Sequence, residues 1–94
     1  MSVTSFLVYE DPSNSWLKVK KSTIKFYFGK DWRKHFTSFS YERGFYVYLE
    51  STKDAPTFVN KMRKMGVEPT FRKQMSKKLS RIRNYDCLAP IDLG

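Results

Sequence analysis

The sequence predicts a small α+β domain: an antiparallel sheet of about five short strands packed against one main helix, followed by a basic C-terminal segment. The chain of 94 residues suits one domain. Its hydrophobic content of 40%, with 17% aromatic, is too high for a disordered chain. Alternating and helical patterns fall in separate stretches, which is typical of α+β proteins. We expect a domain over residues 1–72 and a basic segment, docked or partly flexible, over residues 73–94.

The first half of the chain predicts a hairpin and a short second element. Residues 3–10 and 16–19 are β-rich and flank a turn around Pro12, which predicts a first hairpin. Ser22 is a candidate N-cap for a short helix that Gly29 would end. The aromatic residues of this stretch suit a strand equally well. Residues 31–36 form a polar connection or a further helical turn carrying Trp32 and Phe36.

A second hairpin is predicted over Thr37–Glu50, with Glu42-Arg43-Gly44 as a three-residue loop. Tyr41 would then lie opposite Phe45, and Phe39 opposite Val47. Strand side chains alternate between faces, so one face would enter the core through Thr37, Phe39, Tyr41, Phe45, Val47 and Leu49. The other face would carry Ser38, Ser40, Tyr46, Tyr48 and Glu50.

The main helix is predicted after Asp54, its candidate N-cap, with Pro56 in the first turn and Gly66 beyond the end. Its apolar stripe consists of Phe58, Val59, Met62 and Met65.

Beyond the helix, residues 67–72 suggest an edge strand, because Pro69 cannot donate to a ladder. Val67 and Phe71 would point inward. Residues 72–83 carry six positive charges and no acid. The spacing of Met75, Leu79 and Ile82 predicts a narrow helical stripe there, and residues 84–94 should form an exposed end.

The charge distribution predicts a polyanionic partner. The formal net charge is +9, and all 18 basic residues lie between Lys18 and Arg83, against five acids in that range. Excess lysine that only aids solubility would produce the same composition.

No arrangement of residues predicts catalysis, a metal or a cofactor. His35 is the only histidine and Cys87 the only cysteine, which excludes an intramolecular disulfide and a cysteine-based zinc site. The acids are scattered, and the glycines form no phosphate-binding loop. No apolar run is long enough to span a membrane, and the N-terminus lacks the features of a signal peptide. We therefore expect a non-enzymatic protein in the cytoplasm.

The remaining candidates form a binding constellation. Exposed Tyr46 and Tyr48 would stack on unpaired bases, with Arg43 beside them at the loop tip. Phosphate contacts would come from the basic segment, through Lys73, Lys77, Lys78, Arg81 and Arg83. The alternative is that a helix or the C-terminal segment covers this face, which would make both tyrosines structural.

Several short motifs together resemble a group of small uncharacterised proteins of bacteriophages and plasmids. These motifs are Trp16-Leu17-Lys18-Val19, Ser40-Tyr41-x-Arg43-Gly44-x-Tyr46-x-Tyr48-Leu49-Glu50, Phe58-Val59, Gly66-Val67-Glu68-Pro69-x-Phe71-Arg72 and Ser80-Arg81-Ile82-Arg83-Asn84-Tyr85. The resemblance covers most of residues 6–85. It implies a mobile-element origin and a bacterial cytoplasm, and it implies no activity.

The function that the sequence predicts is that of an accessory protein binding DNA or RNA through a basic surface, mainly by phosphate contacts and without sequence specificity. The alternative is a protein-interaction module or inhibitor that docks its basic face on an acidic host enzyme or virion component.

Overall fold

The computed structural model describes residues 5–77, 82 and 85–88, and these form a six-stranded mixed sheet with two α-helices. The strands are β1 (Ser5–Glu10), β2 (Ser15–Lys20), β3 (Tyr41–Arg43), β4 (Tyr46–Glu50), β5 (Thr70–Met75) and β6 (Asp86–Cys87). The helices are α1 (Lys21–Phe28) and α2 (Ala55–Lys64), and a 3-10 turn covers Trp32–His35. The strand order is β5-β1-β2-β4-β3-β6, which confirms the α+β class.

The sheet is mixed, so the expectation of a wholly antiparallel sheet is wrong. β1 and β2 form the predicted antiparallel hairpin. β5 pairs with β1 in parallel, with Phe71 opposite Phe6. Residues 51–69 connect β4 to β5 and contain α2, and a helical crossover of this kind allows two strands of one sheet to run parallel. β5 is an edge strand, as Pro69 predicted, and it continues past residue 72 to Met75.

α2 forms where the sequence predicts it, and the stretch that the sequence left open between helix and strand forms α1. Two details differ. α1 ends at Gly29, whose φ of 85° is the left-handed conformation that suits glycine. Its N-cap is Lys20 rather than Ser22, because β2 runs directly into the helix. α2 begins after Asp54 with Pro56 in its first turn. Met65, predicted on the apolar stripe, lies just past the helix end and is 50% exposed.

The hairpin of β3 and β4 has a different register from the predicted one. Arg43 pairs with Tyr46, which leaves a two-residue loop of Gly44 and Phe45, with Gly44 at φ 60°. A glycine with positive φ fits the first position of a two-residue turn as well as the end of a three-residue loop. The shift removes Phe39 and Phe45 from the core, and they are 59% and 81% exposed. It also moves Tyr41 from the predicted core face to the opposite face of the sheet, beside Tyr48.

The main core lies between the helices and one face of the sheet. Phe58 and Met62 of α2 and Ile24 and Tyr27 of α1 are almost completely buried there. The sheet contributes side chains from three strands, namely Phe6, Val8, Leu17, Val19, Val47 and Leu49. Val47 and Leu49 thus occupy the face predicted for them.

The described part of the C-terminal segment is docked on the sheet. β6 pairs with β3, and Leu88 is 1% exposed within the main core, where its N–H donates to the Ser40 carbonyl at 2.7 Å. The expectation of an exposed end over residues 84–94 is therefore wrong at Leu88, since an apolar side chain gains free energy by leaving water. Residues 84 and 89–94 lie outside the described residues, as do Val3 and Leu79.

A buried carboxylate connects several of these elements. Asp54 is 1% exposed. Its oxygens accept the Thr37 N–H at 3.0 Å, the Thr37 hydroxyl at 2.8 Å and the Ser40 hydroxyl. The Ser40 oxygen in turn accepts the N–H of Glu50 at the end of β4, at 2.9 Å. Asp54 thus joins α2, β4 and the segment that precedes β3, rather than capping its own helix with its side chain.

We predict that Asp54→Ala destabilises the fold by about 2–4 kcal/mol, because it leaves several donors near the core without an acceptor. Urea unfolding monitored by circular dichroism would measure the change. The control is Ser38→Ala, which alters an exposed hydroxyl in the same segment and should have almost no effect. Equal stabilities of the two variants would contradict this role of Asp54.

A second charged side chain, Glu42, connects β3 to the 3-10 turn and to α1. Glu42 accepts two hydrogen bonds from Arg33, at 2.7 and 2.8 Å, and its other contact is Lys21 at 2.9 Å. The hydrogen bonds from Arg33 are the main reason that the pKa of Glu42 falls from 4.5 to about 2. The same pairing raises the pKa of Arg33. The carboxylate therefore stabilises the folded state only while it is ionised.

We predict that this contribution is fully present above pH 4.5 and is lost as the pH falls towards 2, because the folded-state pKa lies below the unfolded one. Partial exposure to solvent reduces its size to about 1–2 kcal/mol. Unfolding free energies measured between pH 6 and pH 2.5, with pH values chosen at roughly half-unit steps, should fall less steeply for Glu42→Gln than for the parent chain. Parallel curves would contradict the prediction.

Candidate nucleic-acid interface

The face of the sheet opposite the helices, here called the outer face, carries most of the predicted binding residues that the structure describes. Register and alternation place one set of side chains there. From one edge of the sheet to the other they are Thr70, Arg72, Gln74, Ser5, Leu7, Tyr9, Trp16, Lys18, Lys20, Tyr46, Tyr48, Glu50, Tyr41, Arg43 and Cys87.

Aromatic packing closes the centre of this face. Trp16, Tyr48 and Ile82 are buried in a second cluster, against which other tyrosines pack. Tyr85 covers Tyr48, with 5.1 Å between ring centroids, and Tyr48 is only 7% exposed. Tyr48 is therefore packed as a structural side chain, and its ring is not open for stacking on a base. The helical stripe expected of Met75 and Ile82 does not form, because Met75 belongs to β5 and is 77% exposed.

Positive charge lies beside this aromatic cluster. Lys18, Lys20 and Arg72 line a shallow pocket of about 240 Å³, together with Thr23 and Tyr46. The ammonium of Lys18 sits 4.2 Å from the centre of the Tyr46 ring, which holds the lysine by a cation–π contact. Among the described residues that line this pocket, none is acidic. We call it the cationic pocket, and its chemistry suits an anion.

The predicted residues divide between the two faces of the sheet. Arg43 is exposed on the outer face, with its guanidinium 5.0 Å from the centre of the Tyr85 ring, and Tyr46 is half-buried. Lys73 points to the helical side, 3.8 Å from Glu10. Lys77 is exposed beyond the end of β5. The remaining three, Lys78, Arg81 and Arg83, lie outside the described residues.

Sequence reasoning missed Lys18, Lys20 and Arg72. A usable signal was present in β2, where Leu17 and Val19 alternate with the two lysines. Alternation alone puts both lysines on the face opposite the core. Arg72 carried no such signal, because its place beside Lys18 depends on the parallel pairing of β5 with β1.

Most of the described acids make polar contacts within the protein. Glu50 accepts from Thr52 and Lys53 at the end of β4. Asp11 organises the turn between β1 and β2. Others with polar contacts among the described residues are Glu10, Glu42, Asp54 and Glu68.

This arrangement defines a small basic protein with a cationic outer sheet face. Comparisons with protein-family models, curated proteins and solved structures found no match. Within the described ranges, no helix is long and apolar enough to cross a bilayer, and no group of three histidine, cysteine or acidic side chains is placed to hold a metal ion.

We predict that Tyr48 ionises near pH 12, because burial, followed by the neighbouring Tyr85 phenol, raises its pKa from 10.0 to about 12. Since the folded state favours the neutral phenol, its contribution to stability is lost as the pH rises from 10 through 12. Ultraviolet titration of Tyr48→Phe should lack the late ionisation step, whereas Tyr46→Phe should retain it. A step that persists in Tyr48→Phe would contradict the packing of Tyr85 over Tyr48.

Proposed function

We propose that this protein is a non-enzymatic accessory protein that binds nucleic acid through its outer face, mainly by contacts to phosphate. The observation that carries the proposal is the cationic pocket, where Lys18, Lys20 and Arg72 converge without an acid in the lining. Arg43 extends the positive surface towards the far edge of the sheet. Lysine and arginine at such spacing are the side chains that neutralise a phosphate backbone.

The width of this surface suits a short length of backbone. Arg72 on β5 and Arg43 on β3 are separated by four strand spacings, or about 19 Å at about 4.8 Å each. A nucleic-acid strand advances by about 3.4 Å per phosphate along a duplex axis. The outer face therefore spans roughly five or six nucleotides. Contacts to phosphate alone give binding that tolerates any sequence.

One exposed ring is placed for an additional contact with an unpaired base. Phe45 forms the tip of the β3–β4 hairpin next to Arg43 and is 81% exposed. An exposed aromatic ring beside a cationic surface is the arrangement that single-strand binding proteins use for stacking. In this proposal Phe45 takes the stacking role that the sequence suggested for Tyr48.

Origin and location form part of the same proposal. The resemblance of the sequence motifs to small phage and plasmid proteins supports a mobile-element origin. A bacterial host cytoplasm, where DNA and RNA are both present, would then be the site of action.

The second candidate function, docking on an acidic protein, is favoured by a groove on the helical side of the sheet. This groove of about 400 Å³ lies between α2 and β5, and its apolar lining includes Val8, Val59 and Phe71. Arg63 and Lys73 also line it. Its occupant would be an extended segment of a host protein that pairs with the edge strand β5 and carries acidic and apolar side chains in alternation.

We predict that the triple variant Lys20→Gln/Arg43→Gln/Arg72→Gln binds a probe of about 20 nucleotides, duplex or single-stranded, more weakly than the parent chain does. The probe is about three times as long as the stretch that the outer face spans. Each lost phosphate contact should reduce the slope of log K against log[salt] by about 0.9 on duplex or 0.7 on a single strand. The triple variant should therefore lose about 2–3 from that slope on duplex. Fluorescence anisotropy at several salt concentrations would measure both quantities.

The matched control is Lys25→Gln/Lys30→Gln/Lys34→Gln, which removes three exposed charges from the helical side and its adjoining loops. It should change the slope less than the outer-face variant does. Equal slopes for the two variants would show that net charge alone, rather than the outer face, determines binding. Retention of a host protein by the parent chain after nuclease treatment, together with no binding to either probe at low salt, would favour the acidic-protein alternative.

A further inference from the structure

A separate cavity lies on the helical side of the molecule, away from the outer face. It has a volume of about 430 Å³ and is bounded by α1, the 3-10 turn and α2. Its lining combines three aromatic or imidazole rings with four polar side chains, namely Tyr27, Phe28, His35, Thr57, Asn60, Lys61 and Lys64. This volume falls within the range of small-ligand sites in proteins.

One wall of the cavity is a continuous stripe of hydrogen-bond donors on α2. Thr57, Asn60, Lys61 and Lys64 stand at i, i+3, i+4 and i+7, which places them on one face of the helix. They offer a hydroxyl, an amide and two ammonium groups. None of the described residues in the lining is acidic. Four neighbouring donors with two positive charges suit a ligand that has several acceptor oxygens.

The opposite wall is built of rings. The His35 and Phe28 rings lie 4.9 Å apart, and the Lys61 ammonium sits 5.9 Å from the centre of the Phe28 ring. Tyr27 is 5% exposed, and its buried hydroxyl finds no hydrogen-bond partner among the described residues. Buried hydroxyl groups are nearly always hydrogen-bonded in folded proteins. The hydroxyl oxygen is itself shielded from solvent, so the donors open to a ligand are those of α2 and His35.

We propose that this cavity binds a phosphate dianion, either free or as a phosphomonoester, with Lys61 and Lys64 as the charged ligands. Asn60, Thr57 and the imidazole of His35 supply further donors around the phosphate oxygens. A phosphomonoester brings close to two negative charges and three strong acceptor oxygens, which matches this donor set better than a monovalent carboxylate would. Bonds between ammonium groups and phosphate oxygens are among the stronger hydrogen bonds in proteins.

The site is independent of the proposed nucleic-acid interface, because the helical layer and the outer face lie on opposite sides of the sheet. Its ligand chemistry has two sources, free phosphate and a phosphorylated small molecule such as a nucleoside monophosphate. The ring-lined wall favours the second source, since Phe28 and His35 offer apolar and π surface beside the phosphate position.

The test is a ¹H–¹⁵N correlation titration of the full chain at constant ionic strength, with inorganic phosphate, AMP and adenosine as separate probes. We expect saturable shifts of the amides of residues 57–64 with AMP, weaker ones with phosphate, and none with adenosine alone. Lys61→Gln/Lys64→Gln should weaken AMP binding by about tenfold or more, the effect of losing a charge-assisted bond. The matched control Lys25→Gln/Lys30→Gln should remain within about twofold of the parent chain.

Saturable binding of phosphate equal to that of AMP would support the site with free phosphate as its ligand. Shifts that do not saturate with either probe, or an equal loss in both double variants, would overturn the proposal. The Lys20→Gln/Arg43→Gln/Arg72→Gln variant should bind AMP at this cavity like the parent chain. A failure of nucleic-acid binding therefore stays distinguishable from a failure of this site.

Discussion

The buried Asp54 carboxylate is the constraint on which the arrangement of the sheet edge and the helical layer depends. It accepts hydrogen bonds from Thr37 and from the Ser40 hydroxyl. The Ser40 hydroxyl oxygen accepts the Glu50 N–H of β4, and the Ser40 carbonyl accepts the Leu88 N–H. A buried charge is tolerated only where hydrogen bonds replace the water that it has lost. One side chain thus fixes the positions of the start of α2, the end of β4 and the residue that follows β6. The short strands β3 and β6 lie next to this network, so the exposed Arg43 is held by it indirectly.

The internal use of acids also explains the electrostatics of the surface. Asp54 and Glu50 are buried, and Glu42 is held between Arg33 and Lys21. An ion pair cancels most of the charge of an acid at a distance, whereas hydrogen bonds from uncharged donors hold the side chain in place without cancelling its charge. The composition gives a formal net charge of +9, and exposed cations lie both on the outer face and on the helical side. The cationic pocket beside Tyr46 is a part of the outer face where three cations line a surface and none of the described lining residues is acidic.

Local signals predicted most of the elements, and pairing between distant segments accounts for most of the errors. Pro56 and Gly29 marked helix boundaries because their backbone preferences act within a few residues. The register at Gly44 was ambiguous, because a positive φ fits two loop lengths and both leave Val47 and Leu49 on one face. The parallel pairing of β5 with β1 depends on the crossover that contains α2, which no residue of β5 specifies. Arg72 lies near Lys18 because of that pairing, so this proximity could not be predicted from the sequence either.

The burial of Tyr48 changes the kind of binding that the outer face can provide. Had Tyr46 and Tyr48 both been open, stacking on bases would have accounted for much of the affinity, and unpaired strands would have been preferred. With Tyr85 packed on Tyr48 and Lys18 packed on Tyr46, the tyrosines instead form a rigid floor for positive charge. Lysines held by ring contacts lose less conformational freedom on binding than free ones do. In the proposed function, the aromatic residues of this face therefore act mainly by positioning cations, and discrimination between single and double strands would fall to the exposed ring of Phe45 at the hairpin tip.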